Sequence, residues 1–175
     1  MITPAVRKLV LVAHVTSSVG WLGAVAAFLA LSIAGLKLEE AERIRGVYIA
    51  MDIVGWYVIV PLSIASLITG LIQSLTTSWG LFRHYWFVFK LLIAVAATGL
   101  LLLHMQPTSY LAEVAATGPL STMSHRGIRI QLMADATAAI LVLVVATVLS
   151  IYKPRGITPY GWKKERKRRA PNSLL

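Results

Sequence analysis

Cysteine is absent from the 175 residues, and acids are scarce: seven Asp and Glu stand against 17 Lys and Arg. Without cysteine there is no disulfide, no thiolate-held zinc or iron–sulfur centre and no Cys nucleophile. Charge of either sign is thin, at 14% of residues, where soluble domains carry about a quarter. The chain has no Gly-x-Ser-x-Gly elbow, no zincin helix motif and no Walker loop, so the common signatures of hydrolases and nucleotide hydrolysis are missing. Short alternating runs separated by turns, the mark of a transmembrane barrel, are missing too.

What is present is apolar. Hydrophobic residues make up 57% of the chain, and the mean hydropathy is +0.73. The net charge of +10 sits in gaps between apolar runs and in a terminal tail, not over a soluble surface, so it speaks for a membrane and not for nucleic acid. Four runs reach the roughly 20 residues that a helix needs to cross a bilayer: about 9–36, 48–77, 84–105 and 130–152. Lipid offers backbone amides no partner, which makes these runs helices. Arg7, Lys8 and the small residues Ala24-Val25-Ala26 resemble a signal peptide, but the apolar run continues well past that site and reads as a span. The fold class expected is all-α: a four-helix transmembrane bundle over residues 1–152, followed by a basic tail over 153–175.

Four spans place both termini on one side. That side holds eleven basic residues, eight of them from Lys153 onward, against five on the other: Lys37, Arg43, Arg45, Arg126 and Arg129. The excess assigns both termini to the cytoplasm and the tail to anionic lipid, with about 1 kcal/mol of attraction per basic residue near the surface. Between the third and fourth spans, Ser109–Thr117 is expected to form a short helix on the outer face, closed by Gly118-Pro119.

Ionisable groups inside a span are costly and normally face the bundle interior. His14, Asp52, Lys90 and Asp135 fall one to a helix, with His104 as a fifth. Counting about 1.5 Å per residue from the flanking basic groups places His14 and Lys90 in an inner layer. Asp52, Asp135 and His104 form an outer layer, too far from His14 for one iron to bridge the two histidines. Three-four spacing groups His14, Ser17, Ser18 and Trp21 on the first span, and Asp52, Trp56, Ile59, Ser63, Ser66, Gly70, Gln73 and Thr77 on the second. It groups Phe87, Lys90, Ala94, Ala97, Leu101 and His104 on the third, and Gln131, Asp135, Ala138, Val142 and Val145 on the fourth. Ser, Thr and Gln on these faces are expected to bond between helices, and Gly20/Ala24 and Gly23/Ala27 to allow close helix approach.

The segments His14-Val-Thr-Ser-Ser-Val-Gly-Trp-Leu-Gly, Trp79-Gly-Leu-Phe-Arg-His-Tyr-Trp with Lys90, and Pro154-Arg-Gly-Ile-Thr-Pro-Tyr-Gly resemble an uncharacterised group of small four-helix bacterial membrane proteins. That group is distantly similar to the copper-resistance D proteins and the HemJ-type protoporphyrinogen oxidases. The shared residues are His14, Trp21 and Gly23 on the first helix and the Trp86…Lys90 pair on the third. The first helix lacks the late basic residue of the oxidase pattern. The resemblance implies a multi-pass protein of the bacterial inner membrane, with a core able to hold heme or a metal near His14.

Three functions stay open at this point, and whether the protein is an enzyme stays open with them. In the first, heme b is held by His14 as axial ligand, with Trp21 and Trp86 along the porphyrin and Lys90 on the iron or a propionate; no second histidine shares the depth of His14. In the second, His104, Asp52 and Asp135, joined by His125 from the loop, hold a divalent metal. In the third there is no cofactor, and the chain is a subunit or scaffold, alone as a homo-oligomer or with another membrane protein. The orientation is testable with single cysteines at Ser109 and Ser173 and an impermeant reagent on intact cells. Ser109→Cys should label and Ser173→Cys should not; the reverse pattern overturns the cytoplasmic assignment.

Overall fold

In the computed structural model, residues 3–76, 85–118 and 125–152 are described, with 156, 158, 159, 162, 163 and 166 of the tail. Each of the four apolar runs is a helix long enough to cross a membrane, and the described residues contain no strand. The Trp79–His84 part of the motif, Thr77, Pro119 and most of the basic tail lie outside the described residues.

Helix α1 spans Pro4–Lys37. Thr3 Oγ1 accepts the Val6 amide at 3.4 Å, and Pro4 fills the first position, where a missing N–H has no cost. The second span is built from three pieces: α2 (Ala41–Val54), a π-helical turn (Gly55–Ile59) and α3 (Val60–Thr76). Pro61 explains the π turn. It has no amide to return to the Tyr57 carbonyl, and the turn before it widens, with the Val60 amide reaching five residues back to Gly55.

Helix α4 runs unbroken from Tyr85 to Thr117, through Pro107. The separate surface helix expected over Ser109–Thr117 is therefore the outer end of the third span, although it does stop at Gly118 as expected. Continuation past the proline is helped by Thr108, whose hydroxyl donates to the His104 carbonyl at 2.9 Å. Helix α5 covers Arg126–Tyr152.

The spans pack in cyclic order: the first lies against the second and fourth, and the third against the same two. The third span holds tightly to α2 but much less to α3, so the second and third spans part toward their 77–84 connection. The expected faces of the first and third spans are the inward ones: Ser17 and Trp21 are buried on α1, while Phe87, Lys90, Ala94, Ala97, Leu101 and His104 are all half-buried on α4. Two faces need correction. On the second span Tyr48, Met51 and Gly55 point inward, while Trp56 is 43% exposed, because the extra residue of the π turn rotates everything before it. On α5 the inward residues are Leu132, Ala136 and Leu143, and Gln131, Ala138, Val142 and Val145 face out.

The small residues and hydroxyls also divide differently from expectation. Gly20 lies against Leu62, but among the described residues nothing stands within 4 Å of where a Cβ on Gly23 would be. Most hydroxyls bond back to their own helix, as Ser32 does to Leu29 and Ser63 to Val60, each at 2.8 Å. Ser18 and Ser66, at 2.7 Å, do join two helices.

The outer end closes around a residue that charge counting alone would leave in a loop. Arg129 is 1% exposed. Its Nε donates to the Tyr48 hydroxyl at 2.7 Å, and a terminal nitrogen donates to the Gly35 carbonyl. The guanidinium also lies 5.3 Å from the centre of the Tyr48 ring, within cation–π range. Gly35 is required here, since a Cβ on it would stand 2.8 Å from the Tyr48 oxygen. One side chain thus ties together the first, second and fourth spans. Arg129→Met should destabilise the detergent-solubilised protein by about 3 kcal/mol, because two buried oxygens lose their donors. The exposed control Arg45→Ala should stay within about 0.5 kcal/mol. Equal melting temperatures for the two variants would contradict this role.

Candidate functional site

The inner layer forms where α1 crosses α3. His14 Nδ1 lies 3.0 Å from the Ser66 carbonyl and 3.1 Å from Thr69 Oγ1. A carbonyl can only accept, and the Thr69 hydroxyl already donates to the Ala65 carbonyl at 2.6 Å. Both partners therefore accept, and the proton sits on Nδ1. In the neutral ring this leaves Nε2 with a free lone pair, and no described residue donates to it. Gly70 lets the ring lie flat against α3, since a Cβ there would be 3.1 Å from its Cε1. Ser17 donates to the His14 carbonyl at 3.1 Å and so fixes the same turn of α1 from the other side.

Lys90 is half-buried on α4. It has no hydrogen bond or ion pair among the described residues. No Asp or Glu of the four spans falls at this level. The inner layer thus has an open imidazole nitrogen on α1 and a lysine on α4, on the side where the second and third spans part.

The outer layer is arranged in the opposite way. His104 Nδ1 donates to the Leu100 carbonyl at 2.7 Å, and Nε2 is 2.8 Å from Asp135 Oδ2. Both ring nitrogens are engaged. The 2.8 Å contact is short enough for an ion pair but is not aligned as a hydrogen bond. Asp52 lies apart from this pair: Oδ1 accepts the Ser109 hydroxyl at 2.6 Å, and Ser109 in turn accepts the Trp56 indole N–H at 2.9 Å. His125 stands edge-on to Tyr110, 5.5 Å between ring centres. Among the described residues no three His, Asp or Glu gather as a metal would need. Asp135 already stands 2.8 Å from the second nitrogen of His104.

The two tryptophans are also separated. Trp21 is buried in the core with Ile44, Tyr48 and Leu132, two turns beyond His14. Trp86 lines a surface groove with Phe89, Leu92 and Leu149. Residue spacing could not have revealed Ser66 and Thr69 as the partners of His14, because one of them acts through its backbone.

Fold and site together define a polytopic four-helix membrane protein with one open and one closed intramembrane histidine. No protein-family model, curated protein or solved structure matches the chain. The tautomer is directly observable. Nitrogen-15 NMR of histidine-labelled protein above the titration range should show His14 protonated at Nδ1 and bare at Nε2. A His14 protonated at Nε2 instead would contradict the geometry.

Proposed function

We propose that the protein binds heme b in its inner layer, with His14 Nε2 as an axial ligand and Lys90 as the partner of a propionate. One observation carries this reading: the His14 proton is held on Nδ1 by a backbone carbonyl. Metal-ligating histidines have this second partner, which fixes the tautomer and makes the free nitrogen a better donor. Lys90 adds support, as a cation in a span without an acid at its level. The parting of the second and third spans leaves a side of the site where the four helices do not close on one another. Bound heme would supply reversible one-electron chemistry at the iron. The chain's own share is to orient the imidazole through Ser66 and Thr69 and to neutralise an acidic edge through Lys90. Trp86 has no place in this site.

A different role suits the outer layer. The His104–Asp135 pair and the Asp52–Ser109–Trp56 chain leave no nitrogen open and read as structural contacts that fix helix register.

The test is expression with ample heme, followed by visible spectroscopy of the detergent-purified protein. The wild type should show a Soret band that His14→Ala abolishes. Lys90→Gln should keep the band but lose heme more readily on dilution. His104→Ala should leave the spectrum unchanged. A colourless wild type, or a band untouched by His14→Ala, overturns the proposal.

A further inference from the structure

Asp52 is held at one carboxylate oxygen and open at the other. It is half-buried one turn before Trp56 on the second span, and Ser109 of α4 links the two side chains. An indole N–H can only donate, so Ser109 accepts it at 2.9 Å and gives its own O–H to Asp52 Oδ1 at 2.6 Å. Both donors of the chain therefore point toward the carboxylate. Among the described residues Asp52 has no ion pair and no other hydrogen bond, and its Oδ2 is not enclosed.

The height of this carboxylate follows from the helix beneath it. From Thr76, the last residue of α3, about 20 residues of helix lead back to Trp56, roughly 30 Å and the thickness of a bilayer's hydrocarbon core. Trp56 and Tyr110 are partly exposed and Tyr57 is 79% exposed, the amphipathic rings that collect at a membrane interface. Asp52, one turn further out, stands at headgroup height. Below it Ile53, Tyr57, Ile64 and Ile68 are exposed and form an apolar strip that runs toward the bilayer centre.

The donor set selects the ligand. Calcium takes about six to eight oxygens, and among the described residues no three His, Asp or Glu gather here. An ammonium needs less: one charge-assisted bond to a free carboxylate oxygen and the face of an aromatic ring. An amine at headgroup height above an apolar strip has the polarity of an aminophospholipid.

We infer that Asp52 and Trp56 form a site for the ammonium of a phosphatidylethanolamine headgroup, whose acyl chains lie along Ile53, Tyr57 and Ile64. The site is separate from the inner layer and does not depend on heme. The bonds through Ser109 still tie the second span to the third, and the ligand uses the oxygen that they leave over.

The full chain, carrying fluorine-labelled tryptophan, is placed in nanodiscs of phosphatidylcholine, and phosphatidylethanolamine is raised stepwise to half of the lipid. The Trp56 fluorine line, assigned by its loss in Trp56→Phe, should shift and saturate. Phosphatidylglycerol in the same amounts should leave it in place. Asp52→Asn keeps an oxygen for Ser109 to bond and spares the helix register, but removes the charge. It should weaken the response to phosphatidylethanolamine roughly tenfold, the effect of losing one hydrogen bond to a charged group. A shift in simple proportion to phosphatidylethanolamine, or one that Asp52→Asn reproduces in full, overturns the inference. So does a shift that ethanolamine in the buffer produces equally well, since the ligand would then be a soluble amine. A dimer that Asp52→Asn dissolves would also overturn it, because a cation of a second copy would then fill the site.

Discussion

Burying a guanidinium at the outer end of a lipid-embedded bundle requires every nearby oxygen to be in place, and Arg129 sets that requirement for three spans at once. Its donors fix the end of α1 through the Gly35 carbonyl and the start of the second span through the Tyr48 hydroxyl. Lipid is as apolar as a protein core, so helices in a membrane gain little from hiding oily faces from one another. A polar junction of this kind can therefore select one arrangement where apolar burial cannot. With the outer end closed by Arg129, the opposite end is free to part between the second and third spans, and that is the level of His14 and Lys90.

The two intramembrane histidines show how much the second ring nitrogen matters. His14 and His104 each give Nδ1 to an acceptor on a helix backbone. They differ at Nε2, which meets a carboxylate on His104 and no described donor on His14. The difference follows from where the acids lie. Asp135 is on the span next to His104, whereas Ser, Thr and Gly surround His14. Chemistry at the first site would have to displace an existing partner; at the second it would not.

The four spans were legible in the sequence because hydropathy and length decide them. The two polar layers were legible because helical rise is constant. Faces were legible only where the helix is regular, as in α1 and α4. On the second span Pro61 was the available signal for a widened turn, and without it the interior face of α2 is assigned one residue away from Met51 and Gly55. On α5, polarity misled: Gln131 faces outward while Leu132 and Ala136 fill the interior. In lipid an apolar residue is equally at home on either side, so a polar residue is a weak guide to which side is inward. Arg129 looked like a loop charge, although its spacing of three and seven from Leu132 and Ala136 puts it on their face. Hydrogen bonds to backbone carbonyls, such as those of His14 to Ser66 and Arg129 to Gly35, leave no trace in side-chain patterns.

The π turn at Gly55–Ile59 divides the second span into two segments whose orientations are set separately. One residue turns a helix by about 100°. Loss of a single residue from that turn would convert it to an ordinary α turn and keep Tyr48, Met51 and Gly55 inward. Insertion of a further residue would instead leave α3 in place against α1 and swing α2 through about a quarter of a revolution. Tyr48 would leave Arg129, Met105 would lose the glycine it lies against, and the Asp52 carboxylate would exchange Ser109 for the bundle axis. A one-residue insertion in the middle of this span would thus reach the far outer end, while His14, Ser66 and Thr69 kept their contacts. The membrane domain is in this respect two bundles joined end to end, each able to change its sequence with little effect on the other.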